Sequence, residues 1–211
     1  MAVEQFAGKG QLGATWKSTA GLNLTFSILL FPTQIPAAKQ FRLTQTLSVA
    51  IALALEEVLG EDQVQIKWPN DLYVNGKKLV GMLIENTLHA AGWKAAIAGF
   101  GINVNQPSFE GDLQYKATSI LIQSGQKREL IPLLRDICAS MDLYYKKFLN
   151  QDLEQIFSLY TQKLYLRGCP HVFKIDGIPV EGKIVGTTDQ GLLTVDFNGH
   201  LANFNAKEIS Y

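Results

Sequence analysis

The pentapeptide Lys67-Trp68-Pro69-Asn70-Asp71 gathers more reactive chemistry than any other short stretch of the chain. Pro69 forces the backbone out of a strand and restricts Trp68 to an extended shape. Asn70 and Asp71 favour a turn that aims polar groups inward. Lys67 therefore ends a strand with its ammonium beside a rigid corner. Such a position suits a carboxylate or phosphate, held by a charge-assisted hydrogen bond. A lysine at a strand end is, taken alone, more often a solvated charge, so the pentapeptide needs companions.

One candidate companion is Gly8-Lys9-Gly10-Gln11-Leu12-Gly13, which spells GxGxxG. In a dinucleotide fold a helix follows these glycines at once and its N-terminus holds a pyrophosphate. Here the chain continues Ala14-Thr15-Trp16-Lys17-Ser18-Thr19-Ala20-Gly21 into a strand, and no acidic residue stands at the ribose position. The dinucleotide reading fails on that context. The glycines can still turn backbone N–H groups inward as a nest for an anion, with Lys9 and Lys17 adding positive charge. A plain surface loop is the alternative for this motif by itself.

The elements that must position these residues follow from hydrophobic periodicity. Leu22–Leu30 alternates as a strand does and stops at Phe31-Pro32. From Ala37 to Gly60 the spacing is helical, with apolar residues on more than one stripe, so this helix is expected to be buried on most sides. Val64–Trp68 reads as a short strand. Leu72–Val74 and Lys78–Thr87 flank Asn75-Gly76, the strongest short hairpin signal in the chain. Trp93–Val104 gives a further strand, and helices are expected near Glu129–Leu149 and Leu153–Tyr165. After Arg167-Gly168-Cys169-Pro170 short alternating strands recur, with turns at Asp176-Gly177, Gln190-Gly191 and Asn198-Gly199. The expected architecture is α+β: a mixed β-sheet flanked by helices over residues 1–166, with a small SH3-like β-barrel over 167–211.

Bulk properties narrow the function classes. In 211 residues, 19 basic side chains balance 19 acidic ones, which gives no electrostatic reason to expect nucleic acid as a partner. The two cysteines, Cys138 and Cys169, have no metal-like spacing and read as reduced, non-catalytic thiols of a cytoplasmic protein. The apolar run Ala50–Leu55 is too short to span a bilayer, and the N-terminus shows no signal-peptide pattern. His89, His171 and His200 are scattered, and no Ser–His or Cys–His arrangement is evident.

Read as a set, the motifs resemble the biotin protein ligases. That family carries a Gln-x-x-Gly-[Arg/Lys]-Gly loop running to Trp-x-Ser, then Lys-Trp-Pro-Asn-Asp. A Gly-Lys-Lys-x-x-Gly-[Ile/Met]-Leu hairpin and a Gly-x-Gly-Ile-Asn-x-Asn strand end follow. This chain has Gln5 to Gly10, Trp16-Lys17-Ser18, Lys67 to Asp71, Gly76 to Leu83 and Gly99 to Asn105, in that order. The resemblance covers nearly the whole chain, and implies the catalytic fold shared with class II aminoacyl-tRNA synthetases.

It also implies an activity: biotin and ATP form biotinyl-5'-AMP, and biotin passes to a lysine of a biotin carboxyl carrier domain. Lys67 and Asp71 would be the catalytic residues, with Lys67 on the biotin carboxylate and the α-phosphate. Gln5, Gly8, Lys9, Gly10 and Gln11 would line biotin and its adenylate. Trp16 would anchor that loop or cover the ligand, and Asn70 would shape the corner. Lys78, Gly81, Met82 and Leu83 would form the hairpin under the ligand, beside Gly99 and Gly101. Asn103 would reach the ATP phosphates or their Mg²⁺.

Two departures qualify the match. The family usually has arginine at the position of Gln11. Its members also begin with a strand and a helix that open Ser/Thr-Thr-Asn against the biotin ring, whereas Met1 falls just before the loop. A start assigned about 35–45 residues too late is the expectation, by the size of a βα unit. A chain truly lacking that segment would bind biotin weakly or dimerise over the open sheet edge. No helix-turn-helix precedes the loop, so a repressor role has no support. The rival readings are lipoate attachment, on the same architecture, and a non-catalytic remnant that binds biotin acceptor domains.

Overall fold

The computed structural model describes residues 1–211 except 11, 12, 14 and 91. Its main sheet is five-stranded and antiparallel, in the order β3-β7-β6-β5-β4. The strands are β3 (Leu24–Leu30), β4 (Gln65–Lys67), β5 (Asp71–Val74), β6 (Lys77–His89) and β7 (Gly92–Ile102). A separate two-stranded ribbon pairs β1 (Gly8–Lys9) with β2 (Thr15–Trp16). No helix follows the GxGxxG glycines among the described residues, in agreement with the rejected dinucleotide reading.

Strand alternation decides which face of the sheet is covered. Val80 stands opposite Ile102 and Met82 opposite Phe100, and Phe26 stacks on Phe100 with ring centroids 5.0 Å apart. These side chains, with Leu24, Ile66 and Leu72, are buried in the core. Two long helices belong to that core, α1 (Gln40–Leu59) and α4 (Leu130–Leu149). As expected, α1 is buried on most sides, down to Gln45, Thr46 and Ser48, and Gly60 at φ 102° ends it. Along α4, Leu133, Ile137, Met141 and Phe148 are buried, with Leu130, Leu134 and Tyr144 partly buried against the same core.

On the other face the same alternation places Gly81 directly opposite Gly101, and Leu83 opposite Gly99. That face is shallow because its residues lack side chains at the centre. At the sheet's outer edge β3 receives a single bridge from Ala2 to Thr25, and Leu29 and Ile97 remain exposed.

The C-terminal strands are β8 (Pro170–Ile175), β9 (Ile178–Thr187), β10 (Leu193–Phe197), β11 (His200–Phe204) and β12 (Ile209–Ser210). They form one antiparallel sheet in the order β11-β10-β9-β8-β12. Turns at Asp176-Gly177 and Asn198-Gly199 take the positive φ that two-residue hairpins require. The SH3-like size and strand pattern hold, but the expected barrel is not closed. The edge strands β11 and β12 do not pair, because β12 is only two residues long and reaches β8 alone.

This sheet is tied to the rest at identifiable points. Trp68 Nε1 donates to the Gly191 carbonyl at 2.9 Å, Arg42 pairs with Asp189 at 2.5 Å, and Gln45 Nε2 donates to Thr187 Oγ1 at 3.3 Å. The shorter helices α2 (Leu113–Lys116), α3 (Ile120–Ser124) and α5 (Glu154–Gln162) complete the fold. No described helix is long and apolar enough to cross a membrane.

Candidate functional site

Two cavities, of about 720 and 660 Å³, lie on the shallow face of the main sheet. Thr15, Trp16, Asp71 and Lys78 line both, so these residues form the partition between them. The first cavity is bounded by Gln5, Lys9 and Gly10 of the glycine loop and by Asn70 of the corner. Gly81, Met82, Leu83, Gly99 and Gly101 also line it. The second is bounded by Lys17, Ser18, Tyr73, Asn103 and the segment Gln106–Glu110.

The partition rests on glycine. A Cβ on Gly101 would stand 2.2 Å from Cε2 of Trp16, and one on Gly81 would stand 3.0 Å from its Cζ3. The indole therefore lies against bare backbone at the centre of the sheet, where any side chain would displace it. Trp16 is carried there by the β1–β2 ribbon, in which Gly8 faces Trp16. A Cβ on Gly8 would meet the Trp16 carbonyl at 2.5 Å, so this glycine serves close approach as well. Trp16 thus anchors the loop and also walls the cavities. Its buried indole N–H has no hydrogen-bond partner among the described residues.

Beside the indole, Lys78 Nζ pairs with Asp71 Oδ2 at 2.6 Å and lies 5.9 Å from the Trp16 ring centre. Burial pushes the Asp71 carboxyl above the ordinary carboxylate range, and the Lys78 charge and hydrogen bond only partly oppose it. Both side chains arise from strand register: Lys78 faces Tyr73 across β5–β6, and Asp71 faces Lys67 across β4–β5. Asn70 is buried, and its Nδ2 donates to the Met82 carbonyl, locking the corner to the hairpin. The Trp68–Pro69 peptide bond is cis.

Lys67 departs from its expected place. It lines neither cavity; its Nζ donates to the main-chain oxygen of Tyr211 at 2.6 Å and lies over the rings of Tyr73 and Tyr211. Burial lowers its affinity for a proton, with Lys78 adding to that effect and Asp71 opposing it. Lys9, Lys17, Lys78 and Lys116 line the cavities, and of these Lys78 is the one in the shared partition. The reason is the hairpin: β6 runs between β5 and β7 and carries Lys78 to the middle of the face, whereas Lys67 sits on edge strand β4.

Asn103 stands at the end of β7 in the second cavity. Its Nδ2 donates to the Thr118 carbonyl at 3.0 Å, and its buried Oδ1 has no partner among the described residues. Nearby, buried Asn23 organises the cavity wall. It donates to Gln106 Oε1 at 2.7 Å and to Ser18 Oγ at 3.3 Å, and accepts from the Val104 N–H at 2.9 Å. Gln11 lies outside the described residues.

Several lining residues carried no warning in the sequence reading. Thr25 and Ser27 reach the first cavity by alternating with Leu24 and Phe26, a pattern that could have been read. Tyr73 could have been found in the same way, as the residue two beyond Asp71. Ala206 enters from the C-terminal sheet and Phe109 from an irregular segment, and neither has a local signal.

Residues 1–103 match the model of the biotin/lipoate A/B protein ligase family. The chain is 30% identical over 211 residues to the bifunctional ligase/repressor BirA of Bacillus subtilis, covering 99% of this chain and 64% of that protein. It is 34% identical over 133 residues to the biotin–[acetyl-CoA-carboxylase] ligase of Paracoccus denitrificans, covering 60% of this chain and 52% of that one. The chain thus spans less than two thirds of the length of these relatives. Among solved structures, the biotin protein ligase of Aquifex aeolicus in complex with biotin and ATP superposes with a TM-score of 0.82 at 27% identity. That match covers 99% of this chain and 86% of the other.

Proposed function

Because this chain belongs, by its residues 1–103, to the biotin/lipoate A/B protein ligase family, we propose that it activates biotin with ATP and transfers it to a lysine of a carrier domain. The observation that carries this reading is the Asp71–Lys78 pair standing in the wall shared by two cavities, where the reacting ends of two substrates would meet. Relatives crystallised with biotin and ATP support the choice of substrates. The unit involved would be residues 1–166, with 167–211 docked on its corner through Trp68 and Arg42.

In this reading biotin lies in the first cavity, over Gly81, Leu83, Gly99 and Gly101. The nucleotide lies in the second, toward Asn103. A carboxylate oxygen of biotin attacks the α-phosphorus and the bond to pyrophosphate breaks. Lys78 neutralises charge on the carboxylate and α-phosphoryl oxygens, and Asp71 holds its ammonium on the partition. An acceptor lysine amine then attacks the acyl carbon; its proton leaves to water and AMP departs. No covalent bond to the protein forms in either step. Positioning of this kind can supply roughly 7–11 kcal/mol of the barrier. The unpartnered Trp16 N–H and Asn103 Oδ1 would gain partners on ligand binding, which removes a cost of about 1–3 kcal/mol for each orphan.

Magnesium fits this arrangement as a nucleotide-borne ion. No cluster of three or more His, Cys, Asp or Glu occurs among the described residues, so a dedicated cage is not available. The free Asn103 oxygen could supply one protein ligand, the usual share when phosphates and water provide the rest. When bound, the ion would offset negative charge on the phosphates.

Exchange of labelled pyrophosphate into ATP tests the reading, measured with biotin, lipoate or octanoate as the acid. Exchange that requires biotin supports it. Exchange driven by lipoate instead would favour the lipoate-attaching branch of the family.

A further inference from the structure

Asn23 lines neither cavity, yet it joins three parts of the chain that build the second one. It is 3% exposed, so the polar atoms of its side chain need partners, and both have them. Its Oδ1 accepts from the Val104 N–H at 2.9 Å, which fixes which end of the amide is oxygen. Nδ2 is thereby left for the cavity wall. It donates to Gln106 Oε1 at 2.7 Å and, over a longer 3.3 Å, to Ser18 Oγ. The Gln106 segment is held further on: Gln106 Nε2 donates to the Ser108 carbonyl at 3.1 Å, and the Gln106 carbonyl accepts from Ser119 Oγ at 2.6 Å. The Ser18 segment follows directly on Trp16 of the partition. Main-chain pairing seats Asn23 itself, with the Asn105 N–H on the Leu22 carbonyl at 2.8 Å and Leu24 opposite Ile102.

We propose that Asn23 is a positioning residue for the nucleotide: by holding Ser18 and Gln106 to the end of β7, it fixes two wall segments of the second cavity relative to Asn103. The inference rests on the reading of that cavity as the nucleotide site. Asparagine suits the joint because its short amide supplies two donors and an acceptor. Val104 directly follows Asn103, so the side chain that holds Ser18 and Gln106 is tied to the backbone beside Asn103. Without Asn23 the two segments lose their common partner, and a nucleotide would have to order them as it binds. That ordering opposes nucleotide binding. None of the three partners of Asn23 lines the first cavity, so biotin binding by itself is expected to stay as it is.

The test measures biotin-dependent pyrophosphate exchange against ATP concentration in wild type, Asn23→Ala, Gln106→Leu and the double variant, with biotin affinity determined separately without nucleotide. Asn23→Ala is expected to raise the KM for ATP by roughly 5- to 140-fold, the range of two hydrogen bonds, while kcat and biotin affinity stay within about threefold of wild type. In the Gln106→Leu background the same substitution should raise KM by less, because both changes remove one shared bond. Asn23→Asp keeps the Val104 bond but offers Gln106 no donor, so it takes the place of Asn23→Ala in this comparison if the alanine variant does not fold. A second readout needs no ligand: the backbone amides of 17–19 and 106–110 should exchange hydrogen faster in the Asn23 variant. An unchanged KM for ATP in a folded Asn23 variant overturns the proposal. So does a fall in kcat alone, or an equal loss of biotin affinity, which would mark a general loss of structure. Absence of pyrophosphate exchange in wild type would defeat the adenylation reading. Faster amide exchange in both segments would then still support Asn23 as their brace, and unchanged amide exchange would overturn it.

Discussion

Substituting Gly101 by alanine puts the glycine floor to a quantitative test. The new methyl would stand 2.2 Å from Cε2, 2.5 Å from Nε1 and 2.6 Å from Cζ2 of Trp16. Carbon atoms in contact prefer roughly 3.5–4.0 Å, so the indole must lift by more than ~1 Å into the space where the two cavities meet. Overpacking of this kind costs about 1–3 kcal/mol. If ligand needs the ring where it now lies, that cost appears in binding, as an affinity loss of roughly 5- to 150-fold at 1.4 kcal/mol per factor of ten. Calorimetric titration with a non-hydrolysable biotinyl-adenylate analogue measures the loss directly. The variant Trp16→Ala removes the obstructing ring, so the double variant should bind no worse than Trp16→Ala alone. That non-additivity is the signature of direct contact. Wild-type affinity in Gly101→Ala, or full additivity in the double variant, would refute the reasoning.

Further outcomes follow from the same geometry. Lys78→Met should lower biotin-dependent pyrophosphate exchange by about 10²–10³-fold, the usual loss on removing one preorganised charge-stabilising donor. Since Asp71 titrates above the ordinary 3.8, its ion pair with Lys78 is lost as pH falls through that raised value, and exchange should decline there. Stability has the opposite sign: the folded state binds the Asp71 proton more tightly than the unfolded chain. This contribution is therefore complete below the unfolded pKa and lost as pH rises through the folded one. Asp71→Asn should then unfold at a temperature no lower than wild type at neutral pH while losing exchange, as differential scanning calorimetry can show. At Gly191, held at φ 91° with Phe41 Cγ 2.5 Å from a would-be Cβ, alanine should lower the melting temperature by roughly 2–12 °C.

Legibility in the sequence differed by kind of signal. The Asn75-Gly76 hairpin and the α1 and α4 stripes were readable because turn chemistry and helical period are local properties. Both Asn75 and Gly76 take the positive φ that such a turn needs. The glycines of the site were readable as motif members, but their purpose was not. Gly81 faces Gly101 only once β6 and β7 are paired in register, and Trp16 reaches them from another part of the chain. The direction in which Lys67 points was not legible for a related reason. The pentapeptide marks a corner correctly, yet which lysine faces the cavities depends on strand order: β4 is an edge and β6 is central. Closure of the C-terminal strands was overestimated because alternation and turn spacing do not report the length of the final strand.

The central claim is that the partition between the two cavities brings biotin and ATP together. Titrating the folded chain with biotin, alone and then in the presence of Mg²⁺ and a non-hydrolysable ATP analogue, tests it most directly. The account requires biotin to bind, to bind more tightly with nucleotide present, and to lose that enhancement in Lys78→Met. A folded protein that binds biotin equally well with and without nucleotide, or that binds neither, would contradict it.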